Sequence, residues 1–199
     1  MWSNSCSRNP DRTRTTAPQR KLLPGVLRGL ALCALLASGW CSAATWRDEL
    51  PQAQALGGGD MRFLGFRIYH ATLWAEQKPF QPERAFALQL TYHRNIGRER
   101  LVSASIDEIR RISRPAIDAA TLARWETTLR GAMVDVAEGD QLIGVYVPEH
   151  GMRLYSQQKL LADIDDLALA RAFFAIWLDA GTRDQGLRRQ LLGQPAGTP

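Results

Sequence analysis

The stretch GGGDMRFLGFRIYHATLWA, residues 57–75, carries the side chains whose types most invite chemistry. Arg62 comes first. Read as a strand, it shares a face with Leu64, Phe66, Ile68, His70, Thr72 and Trp74, a mostly apolar set, although Gly65 can shift the register between the two halves. A guanidinium on such a face needs an acid, a carbonyl or a ligand, because a buried unpaired charge is costly. Two partners therefore stand open for Arg62: an internal Asp or Glu, or the acidic group of a bound molecule. Tyr69 brings a phenol just downstream, either to share that contact or to lie at the surface.

Other chemistries find less support. Gly57, Gly58 and Gly59 would cradle a phosphate only at a helix start, usually with a lysine and a hydroxyl residue following. They lead instead into the strand-like MRFLGFRIY, and so read as a flexible strand edge or bulge. His70, His93 and His150 are the only histidines and lie too far apart for a short metal motif. DIDD at 163–166 lacks the glycine and later glutamate of a calcium loop and reads as a helix cap. No Gly-x-Ser-x-Gly nucleophile occurs.

The elements that position these residues begin after a leader. Arg8, Arg12, Arg14, Arg20, Lys21 and Arg28 precede an uncharged run from Gly29 to Trp46, and small residues follow at Cys41-Ser42-Ala43 or Ser42-Ala43-Ala44. That order is an export signal, expected over residues 1–44, with the mature chain starting near Ala44 or Thr45. Leu32 and Trp40 before Cys33 and Cys41 are too large for lipoprotein processing, so no lipid anchor is expected. The other reading is an uncleaved anchor, since roughly 18 uncharged residues is at the lower edge of a membrane span. Six of the 25 Lys/Arg and one of the 20 Asp/Glu precede Ala44, leaving 19 of each and a formally neutral domain. Such a domain has no electrostatic footprint for nucleic acid, and Arg110, Arg111 and Arg114 read as the wet edge of a helix. Cys6, Cys33 and Cys41 all lie in the leader, so residues 45–199 contain no thiol or disulfide and must be held by a core. About 155 residues suffice for one domain.

From Arg84 to His93 the chain alternates, with Phe86, Leu88, Leu90 and Tyr92 on one face, the period of a half-buried strand. After Gly97 the apolar spacing becomes three and four through Ile109 and Ile112, an amphipathic helix. Pro115 interrupts, Asp118 caps, and a second helix runs through Leu122, Trp125, Leu129 and Met133. QLIGVYVP and MRLYS flank a turn at Glu149-His150-Gly151 and read as an antiparallel hairpin, with another short strand before Ile164. DDLALARAFFAIWLD is a core helix capped by Asp165 or Asp166. Gly181 is placed to close it in a left-handed conformation, and Thr182 with Gln185 forms a capping box for a last helix ending at Gly193, before a frayed tail. Strands in two groups, each followed by helices, indicate α+β, an antiparallel sheet with helices on one face.

LGGGDMRFLGFRIYHATLWA, GDQLIGVYVPEHGMRLY and IDDLALARAFFAIWLD together resemble the bacterial branch of the chalcone isomerase-like family, over nearly all of residues 50–193. The resemblance implies an open-faced β-sandwich with a ligand cleft between a large antiparallel sheet and a helical layer. Plant enzymes of that family cyclise a chalcone without cofactor, using an arginine on an early strand, a threonine on the next, and a tyrosine with an asparagine on the first helix. The arginine matches Arg62. The threonine position falls at or near Tyr69, in a stretch more similar to the fatty-acid-binding members. RERL at 98–101 stands in the region of the helix tyrosine, no tyrosine occurs between Tyr92 and Tyr146, and Asp107 or a neighbour replaces the asparagine.

The expectation is an exported, periplasmic or otherwise secreted protein without catalytic residues, cofactor, metal or stable membrane insertion. It would bind a small apolar carboxylate such as a fatty acid, with Arg62 kept dry beneath the helices to meet the acid and Tyr69 assisting. One rival is a cofactor-free isomerase or lyase on a different substrate. Another is an envelope structural or interaction module whose cleft is filled by Phe173, Phe174 and Trp177.

Overall fold

A computed structural model describes residues 45–194. Residues 1–44, with the expected export leader, the three cysteines and the expected cleavage site, and the tail from Pro195 lie outside the described residues.

Six strands form one antiparallel sheet in chain order: β1 Gln54–Phe63, β2 Phe66–Ala75, β3 Phe86–Tyr92, β4 Gln141–Val147, β5 Gly151–Ser156 and β6 Leu160–Ile164. Alternation in each strand gives the sheet an inner face. One row across five strands runs Leu73, Leu88, Gly144, Leu154, Ala162. On this face pack α2 Arg98–Ile112, α3 Ala119–Ala132, α4 Leu167–Leu178 and α5 Gln185–Leu191, through Ile106, Leu129, Phe173 and Leu191 among others. Among the described residues the outer face carries only α1 Trp46–Glu49, whose Trp46 covers a small cluster of Ala87, Ile143, Val145 and Tyr155 with Leu50. The α+β expectation is met, with one face of the sheet layered and the other largely open.

Asp118 and Asp166 cap α3 and α4 by accepting from the amides of Thr121 and Leu169. Asp166 also accepts from the Trp125 indole at 2.9 Å, so the DIDD segment ties a helix start to the neighbouring helix. The end of the chain departs from expectation. Gly181 is not left-handed; α4 ends in extended backbone at Asp179, whose carboxylate accepts from the Gly181 amide. The cap of α5 is Asp184, not Thr182, because the Thr182 hydroxyl is turned to the carbonyl of Ile176.

The second departure concerns residues 61–69. They are not one strand but two, joined at Leu64 (φ 48°) and Gly65 (φ 80°), with Phe63 paired to Phe66 and Arg62 to Arg67. Two consecutive positive φ values are the signature of a tight hairpin whose twist matches its strands. Gly65 therefore turns the chain instead of shifting its register. The glycine run has a packing purpose: a Cβ on Gly57 would lie 1.9 Å from the Gln190 carbonyl, so bare backbone is what lets α5 settle on β1.

Candidate ligand cavity

Between the inner face and the helices lies a cavity of about 780 Å³. This is well within the range of small-molecule sites. Leu88, Leu90 and Leu154 floor it from the sheet, and Leu101, Phe173 and Trp177 wall it from the helices. Its apolar character follows from the two periodicities meeting, since the strand face and the helix stripes that face each other are both hydrophobic. At its open end stand Phe63, Leu64 and Phe66 of the hairpin, with Arg94 and Arg100.

Two phenols interrupt the apolar lining. Tyr69 on β2 and Tyr92 on β3 are register partners, and their rings meet edge to face with centroids 5.8 Å apart. The Trp177 indole donates to the Tyr69 hydroxyl at 2.9 Å. An indole can only donate, so the Tyr69 proton is left for another acceptor, and none is present among the described residues. The Tyr92 hydroxyl likewise has no partner among the described residues, although its residue is 3% exposed. Burial pushes the Tyr69 phenol up to about 12, against the pull of the indole, and raises Tyr92 as well. Both side chains therefore hold their protons at neutral pH and are hydrogen-bond donors in the lining of a largely apolar cavity.

Glu108 on α2 is the lining carboxylate nearest to conventional chemistry. Burial pushes its pKa up, but hydrogen bonds from Arg111 and Arg183 outweigh that and hold it below the usual carboxylate range. It stays charged and paired. Ser105 on the same helix turns its hydroxyl to the Leu101 carbonyl at 2.9 Å. Where the catalytic pattern asks for a tyrosine and an asparagine, α2 thus presents Arg100, Leu101, Ala104, Ser105, Asp107 and Glu108 to the cavity, with Asp107 paired to Arg110.

Arg62 does not take part, and this corrects the expectation placed on it. Its side chain is 58% exposed, lies outside the cavity lining, and sits 3.9 Å from Asp60. Of the two partners left open for it, the internal carboxylate is the one it meets. Asp60 also receives Arg67 at 2.9 Å and His70 at 2.9 Å, while Arg67 donates to His93 at 3.1 Å. Of the residues grouped with Arg62 by alternation, His70 and Trp74 do share its outer face, away from the helices, but Leu64, Phe66 and Ile68 line the cavity, because the hairpin turn and the bulge beside Met61 and Arg62 each shift the phase. Tyr69, one residue out of that phase, points inward.

Sequence reasoning did not assign Tyr92, Trp177, Arg94 or Arg100 to the site. Tyr92 carried a usable signal, since it closes an otherwise aliphatic and aromatic strand face with a hydroxyl that must find a partner. Trp177 was read only as core. It is core, and its N–H is also the group that orients Tyr69. His150 pairs with Asp163 at 2.6 Å, and among the described residues no group of three or more His, Cys, Asp or Glu could hold a metal ion.

The model of the family described as chalcone isomerase-like matches residues 58–193. This chain belongs to the chalcone isomerase-like family. Among solved structures, a fatty-acid binding protein of Arabidopsis thaliana aligns with a TM-score of 0.54 and 10% sequence identity, covering 76% of this chain and 90% of that one. At such an identity the likeness speaks for the chalcone isomerase-like fold and for nothing finer. No curated protein matches the sequence.

Proposed function

We propose that this chalcone isomerase-like protein is an exported binder of a small apolar carboxylate, a fatty acid being the simplest such molecule, and not a catalyst. The observation that carries this reading is the Tyr69 hydroxyl: its oxygen accepts from the Trp177 indole, its own proton has no acceptor among the described residues, and it lines a largely apolar cavity of about 780 Å³. A carboxylate or carbonyl headgroup supplies the missing acceptor, Tyr92 adds a second donor, and the acyl chain takes the place of water against leucines. Each buried methylene contributes roughly 0.8 kcal/mol. The fatty-acid binding neighbour supports the reading by analogy of fold. The non-catalytic side of the reading is supported by the lining of α2, where neither the tyrosine nor the asparagine of the family's cyclising enzymes is present, and by Arg62, which stands outside the cavity. The leader composition supports export, and a bacterial periplasmic member of the family is the corresponding expectation.

The test is displacement of a fluorescent fatty acid, with native mass spectrometry of the purified protein. Tyr69→Phe should weaken binding by roughly tenfold or more, the worth of one hydrogen bond to a charged group. The same change orphans the Trp177 N–H and should lower stability by ~1–3 kcal/mol. Tyr92→Phe removes a hydroxyl with no partner among the described residues, so affinity should fall with stability unchanged. Saturable binding that neither substitution alters would refute the assigned headgroup site, and no binding at all would end the carrier reading.

A further inference from the structure

Five large apolar side chains are exposed among the described residues, and three of them, Phe63 (58%), Leu64 (82%) and Phe66 (57%), fall within four consecutive positions. They form the tip of the β1–β2 hairpin and also line the cavity. Leu64 holds φ at 48°, where a turn of this type ordinarily takes Asn, Asp or Gly. Neither backbone preference nor burial accounts for a leucine there, and a local rule broken twice at one exposed residue points to a surface that something covers.

Charge around the tip indicates what covers it. Arg62 and Arg67 face each other directly behind the Phe63–Phe66 pair. Arg94 lies over the Phe66 ring at 4.4 Å, and Arg100 lines the same cavity. Asp60 takes Arg62 and Arg67, while Arg94 and Arg100 have no carboxylate partner among the described residues. The cavity's acids are occupied elsewhere: Asp107 by Arg110, Glu108 by Arg111 and Arg183, Asp184 by the Leu187 amide. Phenylalanine and leucine at a tip, collared by arginines in excess of carboxylates, are complementary to an anionic bilayer, with rings among the acyl chains and guanidiniums at the phosphates.

We infer that the hairpin tip docks on the surface of an anionic phospholipid bilayer, opening the cavity onto the acyl layer so that an insoluble ligand passes without crossing water. Its purpose rests on the acyl-binding reading; the docking rests on the tip alone. No described helix is long and apolar enough to cross a membrane.

The experiment is sedimentation of the full chain with phosphatidylcholine vesicles, with and without phosphatidylglycerol. Partition should be stronger on the anionic vesicles and fall as salt is raised. Replacing the tip by Phe63→Ser, Leu64→Asn and Phe66→Ser should reduce it roughly tenfold or more, the leader being common to both proteins. Leu64→Asn alone suits the turn and serves where the triple variant fails to fold. A readout confined to the tip is Leu64→Trp, whose added emission should be quenched by brominated acyl chains. Equal partition of wild type and tip variants, or no added quenching at position 64, overturns the inference. So does a wild-type dimer that the tip variant abolishes while vesicles bind neither protein. Fatty-acid binding by the wild type in solution separates the two claims: vesicle docking without it leaves the tip standing and removes the cargo, and fatty-acid binding without docking does the reverse.

Discussion

One sheet face and one helix build both a filled end and a hollow end of this molecule. At the filled end Phe86 stacks on Tyr146 at 5.2 Å and meets Phe174 edge-on at 4.8 Å, with Phe80 completing the cluster. Gly144 lies beside them, where an added Cβ would come within 3.0 Å of the Phe174 ring, so the sheet has been shaved to let α4 approach. At the hollow end, only a few residues along β3, Leu90 and Tyr92 face α2 across the cavity. The difference teaches that a continuous apolar face does not imply a continuous core. Interior packing is close to crystalline where side chains interlock, and a void of this size persists because the rings of α4 lean on Phe86 and the sheet and do not reach across. Phe173, Phe174 and Trp177 are therefore a wall of the cavity instead of its filling, which removes the main support for a solid interior.

The contrast is open to direct attack. Phe86→Ala, in the filled end, should cost ~3–5 kcal/mol in denaturant unfolding, because the ring is 3% exposed and packed on all sides. Fatty-acid affinity should change far less than stability; a small loss of stability would mean that the filled end is loose. Leu90→Phe, in the hollow end, adds volume where there is room, so stability should move by less than about 1.5 kcal/mol while affinity falls roughly tenfold as the ligand is crowded out. A loss above about 1.5 kcal/mol, as overpacking produces, would argue that no void exists there.

The smallest expected effect is alkaline. Because burial raises the folded Tyr69 pKa from 10.0 to about 12, its contribution to stability is whole below pH 10.0 and is lost as pH rises through about 12. Tyr92 is raised in the same direction. Urea unfolding compared at about pH 9 and about pH 11 should show wild-type stability falling, and falling less in Tyr69→Phe, which has no proton to lose. An equal fall in both would place the titration elsewhere.

Periodicity, caps and punctuation were legible along the chain because each is a local property. The alternation of β3, the three-and-four spacing of α2 and the aspartates before α3 and α4 depend on neighbours within about one turn or two residues. The family resemblance was equally legible, and with it the layered α+β form. Three local readings failed for local reasons, the first at Gly181, which is not left-handed because α4 ends in extended backbone at Asp179. Leu64-Gly65 escaped notice as a turn because leucine is a poor marker for a left-handed position. Thr182 lost the cap of α5 because its hydroxyl had a carbonyl at 2.7 Å to satisfy.

Within an unbroken strand the sequence by itself determined which residues share a face, since strand parity is a matter of counting by twos; across the Leu64-Gly65 turn and the bulge after it the count failed, and Phe66 and Ile68 line the cavity. Which face the helices would cover was decided only when the sheet closed against them, because that choice depends on contacts between segments far apart in the chain. Arg62 and Tyr69 show the consequence. They stand seven residues apart with a turn between them; the sheet sends the guanidinium out to Asp60 and the phenol in to Trp177. The cavity itself belongs wholly to the tertiary structure, for a void is made by side chains that do not meet, and no pattern along one strand records that.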